Sequence, residues 1–163
     1  MREIVLADAG PLIALSRIDA LDLLPGVFGR VMITAEIREE VLPAIDYRGR
    51  DLIAGALAAG WLSCLPESTS DWQPINPGLD AGECSAIAAA LQIPGCLLII
   101  DDRAGRAEAK AHGLSVIGTA AVIGLARVQG LIPAARPLLE QLQPAGYFIH
   151  PNIVEAVLRD IGE

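Results

Sequence analysis

A chain of 163 residues, 53% hydrophobic and 20% charged, suffices for one well-formed core and is short for two, so a single domain over residues 1–163 is expected. Mean hydropathy is high at +0.47, yet every uninterrupted apolar stretch falls far short of the roughly 20 residues of a transmembrane helix, and no membrane span is expected. Twenty acidic against twelve basic residues give a formal net charge of −8, which opposes non-specific attraction to nucleic acid; a role there has to rest on local basic groups or metal ions.

The start, MREIVLADAG, enters a strand-like run directly (Ile4 to Ala7), without the basic region, long apolar stretch and cleavage site of a signal peptide, and a cytoplasmic location is expected. Pro11 to Leu15 predicts a helix with proline at its start, and Asp19 to Leu24 a second one stopped by Pro25-Gly26. Val31 to Ile33 reads as a strand. Thr34 is the expected cap of a helix through Val41, in which Ile33, Ile37 and Val41 recur on one face. A longer helix from about Arg48 to Ala59 ends at Gly60, and Trp61 to Leu65 follows as a strand.

The segment 66–78, with three prolines and polar turn residues, reads as a surface loop. Asp80 to Glu83 opens a helix through about Leu91, and the apolar run Cys96 to Ile100 is a strand ending in Asp101-Asp102. A helix from about Gly105 to His112, a strand from Leu114 to Ile117, and helices at about Ala120–Gln129, Ala134–Leu142 and Asn152–Ile161 complete the order. Strands separated by helical stretches predict an α/β fold, a parallel sheet with helices on both faces. No G-x-G-x-x-G follows the first strand and no G-x-x-x-x-G-K-[ST] occurs, so dinucleotide and P-loop phosphate binding find no support.

What stands at the strand ends is acid. Asp8 follows the first strand and Asp101-Asp102 the strand near residue 100, at carboxyl ends where open α/β sheets place their ligand crevices. Glu40 and Glu83 can face the same crevice. Mg²⁺ and Mn²⁺ take oxygen ligands, and two such ions ~3.5 to 4 Å apart serve phosphoryl displacement, the chemistry of a nuclease. Each acid also has a purely structural reading. Asp8 can cap the helix that follows it. Glu40 lies one turn from Glu36 and can sit on a solvated face. Glu83 stands three residues after Asp80, the spacing of a capping box. Adjacent like charges at Asp101 and Asp102 favour a cation or arginine partner.

Cys64, Cys84 and Cys96 are odd in number, lack C-x-x-C spacing and read as small core residues. His112 lies where a helix dipole favours it, and neither it nor His150 has metal-ligand spacing. Thr119 reads first as a helix cap and second as a hydroxyl near the acids. Apart from Lys110 every basic residue is arginine, whose guanidinium suits phosphate contacts and surface pairing alike.

The series DAGPLI, ITAEIREEV, LDAGECSAIAAAL and LLIIDDRAGRAEAKAHGL, with a closing helical tail, resembles the PIN-domain family, in particular a prokaryotic branch described as a domain of unknown function and related to the ribonuclease toxins of toxin-antitoxin pairs. The resemblance implies a three-layer α/β fold, a central parallel sheet flanked by helices, and a Mg²⁺- or Mn²⁺-dependent endoribonuclease site. Carried over residue by residue, its catalytic acids are Asp8, Glu40, Glu83 and Asp101, with Asp102 a further metal ligand. Arg103 and Arg106 are candidates for steering substrate phosphate, with ion pairing to the acids as their alternative. Relatives commonly carry a hydroxyl residue one or two positions after the first acid; Ala9 and Gly10 stand there in this chain.

Three functions follow for weighing. The first is a metal-dependent endoribonuclease acting on RNA, including the toxin of a two-component module inhibited by a small antitoxin protein. The second is a non-catalytic PIN-like module that binds protein or RNA. The third, a Mg²⁺-dependent phosphatase using Asp8 as nucleophile, is demoted because Gly10 takes the second acid's place in D-x-D. The aliphatic composition adds the expectation of a homodimer.

Overall fold

Short apolar runs become the strands of one parallel sheet. In the computed structural model, which describes residues 3–67 and 70–163, the strands are β1 (Val5–Ala7), β2 (Val31–Ile33), β3 (Leu62–Cys64), β4 (Leu97–Ile99) and β5 (Ser115–Ile117). Their order is β3-β2-β1-β4-β5, and each neighbouring pair is parallel. The central strands are covered on both faces: Val5, Leu6, Ala7, Leu98, Ile99 and Ile100 are all at most 3% exposed. Near-continuous aliphatic sequence is what such burial requires.

Helices fill the connections that parallel pairing demands. They are α1 (Ala9–Arg17), α2 (Leu23–Phe28), α3 (Ala35–Val41), α4 (Arg50–Ala59), α5 (Ala81–Leu91), α6 (Arg103–Ala111), α7 (Thr119–Val128), α8 (Arg136–Leu142) and α9 (Pro151–Ile161). They flank the sheet as the outer layers of the expected three-layer α/β fold. Helix α5 packs against α3 and α6, while α7 packs against α2, α8 and α9. No helix among the described residues is long and apolar enough to cross a membrane.

Local signals set several boundaries. The Thr34 hydroxyl accepts the Ile37 N–H at 3.2 Å and caps α3. Gly60, at φ 85°, closes α4 in the left-handed conformation that a Cβ disfavours. Residues 68 and 69 of the expected 66–78 loop lie outside the described residues; further along that loop the Asn76 N–H donates to buried Glu108 at 3.0 Å. Trp72 from the same loop stands edge-on to His112, with ring centroids 5.4 Å apart. His112 ends α6 as expected, but its setting is this ring and Glu108, 3.7 Å away, as well as the helix terminus.

Three expectations need correction. The second helix begins at Leu23 rather than Asp19 and runs through Pro25-Gly26 to Phe28, because Pro25 is its third residue, in the first turn, where a missing N–H breaks no intrahelical bond. The N-cap of α7 is Gly118 rather than Thr119, whose hydroxyl points to a carboxylate instead. Of the cysteines only Cys96 is buried, Cys84 is half-buried and Cys64 is exposed at the end of edge strand β3. Replacing fully buried Leu98 with alanine is expected to cost about 2–5 kcal/mol in urea unfolding. A loss below about 1 kcal/mol would place β4 outside the core.

Candidate functional site

The sheet order reverses direction at β1, with β2 on one side and β4 on the other, so a crevice opens at their carboxyl ends. Asp8 is the residue after β1, and its N–H donates to Ile99 O at 2.9 Å, extending the β1–β4 ladder by one bond. It occupies the N-cap position of α1, yet its side chain accepts no cap bond, so the capping reading is not realised. The residue is 7% exposed. Burial is the main cause pushing its pKa up to about 7; the Ala9 N–H offsets part of this, and the charges of Glu83, Asp80 and Glu40 push it further.

Asp101 and Asp102 divide in role. Asp102 caps α6, accepting the Gly105 N–H on Oδ2 at 2.8 Å. Asp101 accepts three donors: the Thr119 N–H on Oδ1 at 2.8 Å, the Thr119 hydroxyl on Oδ2 at 2.5 Å, and the Tyr147 hydroxyl on Oδ2. Burial is the main cause pushing the Tyr147 phenol up, and the neighbouring Asp101 carboxylate adds to it, which keeps the hydroxyl a donor.

The structural reading of Glu83 holds, and Glu83 also faces the crevice. Its N–H donates to Asp80 Oδ1 at 2.8 Å while its Oε2 accepts the Asp80 N–H at 3.1 Å, a complete capping box. Glu40, exposed at the end of α3, is brought over this box by close packing of α3 on α5. Its Oε2 lies 2.7 Å from where a Cβ on Gly82 would be, so a larger residue there would move the end of the Glu40 side chain. The Thr34 and Ser85 hydroxyls bond at 2.7 Å and fasten the same two helices. Burial pushes both glutamates up, with Asp80 adding to Glu40, and with Asp80, Asp102 and Glu40 adding to Glu83 against the Asp80 N–H.

These acids line one cleft of about 340 Å³: Asp8, Glu40, Asp80, Glu83, Asp101 and Asp102, with Gly10, Gly146, Tyr147 and Phe148 completing its lining. Among the described residues none of the six carboxylates has a basic partner within 4.0 Å. Arg103 is exposed at the first residue of α6, and Arg106 Nη1 donates to Ile100 O at 3.0 Å. A larger cavity of about 770 Å³ between α3, α5 and the loop after β3 contains none of the predicted acids.

The oxygen donors are the chemistry a hard divalent cation takes. As the side chains stand, with Asp102 and Asp80 turned to backbone amides and Asp101 to hydroxyls, no three acid, histidine or cysteine groups among the described residues close around an ion. The sequence reading reached five of the six carboxylates. It treated Asp80 only as a capping partner and missed Tyr147, which stands 46 residues from Asp101 in the chain and carries no local signal.

A family model described as a PIN domain matches residues 4–163. The chain belongs to the PIN-domain family. It therefore has a PIN-type nuclease fold. Among solved structures it is similar to a PilT N-terminus domain protein from the hyperthermophilic archaeon Sulfolobus solfataricus, with 17% identity over 90% of this chain and 97% of that one and a TM-score of 0.48. No curated protein matches the chain significantly.

The raised Asp8 pKa means that the native state holds this proton more tightly than the unfolded chain. Its stabilising contribution is full below the ordinary pKa of 3.8 and is lost as pH rises through about 7. Without divalent ions, Asp8→Asn is therefore expected to stabilise the protein at pH 8 by on the order of a few kcal/mol, and to change little at pH 4. Urea unfolding at the two pH values checks this; equal effects at both would show that Asp8 carries no such penalty.

Proposed function

We propose that the chain is a Mg²⁺- or Mn²⁺-dependent endoribonuclease acting in the cleft at the ends of β1 and β4. One observation carries the reading: a PIN domain gathers six carboxylates around this cleft with no basic partner within 4.0 Å among the described residues. Crowded, partly desolvated like charges are costly, and a cation relieves that cost.

Asp8, Glu40, Glu83 and Asp101 would hold the ion. Asp102 has the supporting role, because one of its oxygens already caps α6. A bound Mg²⁺ or Mn²⁺ supplies Lewis acidity toward the phosphodiester and activates water for attack. The side chains set the conditions for this. Asp8 would give up its proton to a bound cation's charge, Thr119 holds the Asp101 carboxylate by its N–H and hydroxyl, and the capping box keeps Glu83 Oε2 in place. Arg103, exposed on the first turn of α6, is assigned the substrate phosphate; Arg106, bonded to Ile100 O, is assigned a lesser part in it. With a net charge of −8, RNA is held by these local groups and the ion rather than by a basic surface.

A small protein that inhibits the nuclease, as an antitoxin does its toxin, belongs to the same reading, as does a homodimer; both are supported by the resemblance and the aliphatic composition rather than by a contact in this chain. Asp8→Asn and Asp101→Asn are each expected to reduce Mn²⁺-dependent cleavage of single-stranded RNA to background while circular dichroism shows an intact fold. Cleavage unchanged by either substitution would sink the assignment, and a folded protein that binds RNA without cleaving it would support the non-catalytic alternative.

A further inference from the structure

The hydroxyl of Tyr147 enters the acidic cleft from the segment between α8 and α9. Its backbone is fixed there by a turn at the end of α8: Gly146 takes φ 91°, the Gly146 N–H donates to Gln143 O at 2.9 Å, and the Tyr147 N–H donates to Leu142 O at 2.9 Å. The phenol donates to Asp101 Oδ2, which also accepts the Thr119 hydroxyl at 2.5 Å, while Oδ1 accepts the Thr119 N–H at 2.8 Å. An ionised carboxylate has about four lone-pair sites, so these three donors leave one, on Oδ1. Held this way, the carboxylate offers a ligand one oxygen in one orientation.

The room for that phenol is made at position 10. A Cβ on Gly10 would lie 2.9 Å from the Tyr147 hydroxyl oxygen, a distance real Cβ atoms essentially never show, but 3.7 Å and 3.8 Å from the nearest ring carbons, which is ordinary contact. A Cβ at position 10 therefore obliges the Tyr147 hydroxyl to shift from this position, whereas the bare ring would accommodate it. Gly10 lies in the first turn of α1 and does not have a positive φ, so its backbone does not demand glycine. Glycine is a weaker helix former than alanine, and what it provides here is space for one oxygen atom.

We propose that Tyr147 is a positioning residue of this site: with Thr119 it fixes the Asp101 carboxylate so that one Oδ1 lone pair is presented, and Gly10 lacks a side chain to admit its hydroxyl. The proposal rests on the metal-dependent nuclease reading of the same cleft.

The test is a double-mutant cycle of Tyr147→Phe and Gly10→Ala, read by Mn²⁺ affinity in calorimetry and by kcat and KM on single-stranded RNA, with circular dichroism as the check on folding. Tyr147→Phe is expected to weaken Mn²⁺ binding or kcat by about 10- to 100-fold, the usual effect of removing a hydrogen bond that orients a metal ligand, with KM little changed. Gly10→Ala is expected to do the same by displacing the hydroxyl, and the two together to do no more than either alone. Additive losses would overturn the proposal, as would full Mn²⁺ affinity and kcat in Tyr147→Phe, which keeps the ring and decides the matter alone if Gly10→Ala does not fold. Absence of Mn²⁺ binding by the unaltered protein would overturn the nuclease reading and this proposal with it. Mn²⁺ binding lost in Asp101→Asn beside an additive cycle would overturn the positioning role only.

Discussion

The pairing of β1 with β4 is the constraint on which the cleft depends. With Leu6 opposite Leu98 and Ala7 opposite Ile99, the first residue beyond β1, Asp8, and the second beyond β4, Asp101, come to the same end of the sheet. The Asp8 N–H bond to Ile99 O extends this register to the edge of the site. A slip of one residue would turn every side chain of one strand to the other face. The aliphatic residues of both strands, buried on each side, make that slip costly, so core packing fixes the relative position of two charges.

Once the sheet has gathered the acids, each is restrained differently. Asp102 is restrained by a helix N-terminus, Asp80 and Glu83 by each other's backbone, and Asp101 by two hydroxyls and an N–H. Asp8 lacks a cap bond and is the most buried of them, and that burial, more than the neighbouring charges, pushes its pKa up to about 7. Missing Cβ atoms make the close approaches possible. Gly82 leaves room for Glu40 Oε2, Gly118 for Asp101 Oδ1, where a Cβ would stand 2.7 Å away, and Gly10 for the Tyr147 hydroxyl. These local arrangements give the cleft of this PIN domain its shape.

What was legible in the sequence was local or periodic. The strand runs, the Thr34 cap, Gly60 as a helix stop and the Asp80–Glu83 box are set by neighbours within a few residues, and all are found in the structure. The position of the acids at strand ends was legible because buried parallel strands read as continuous apolar runs. Other features depended on tertiary contacts. Pro25 looked like a stop until its position in the first turn of α2 was known, and Thr119 looked like a cap because its carboxylate partner is 18 residues away. Tyr147 had nothing near it to mark it, since its partner Asp101 lies 46 residues away in the chain.

The central claim is that this cleft takes a hard divalent cation on Asp8 and Asp101. A crystal soaked in Mn²⁺ and recorded for anomalous scattering tests it directly. The account predicts a manganese peak within the cleft in ligand contact with both carboxylates. A map with no peak there, or with manganese bound only at other surface acids, would contradict it.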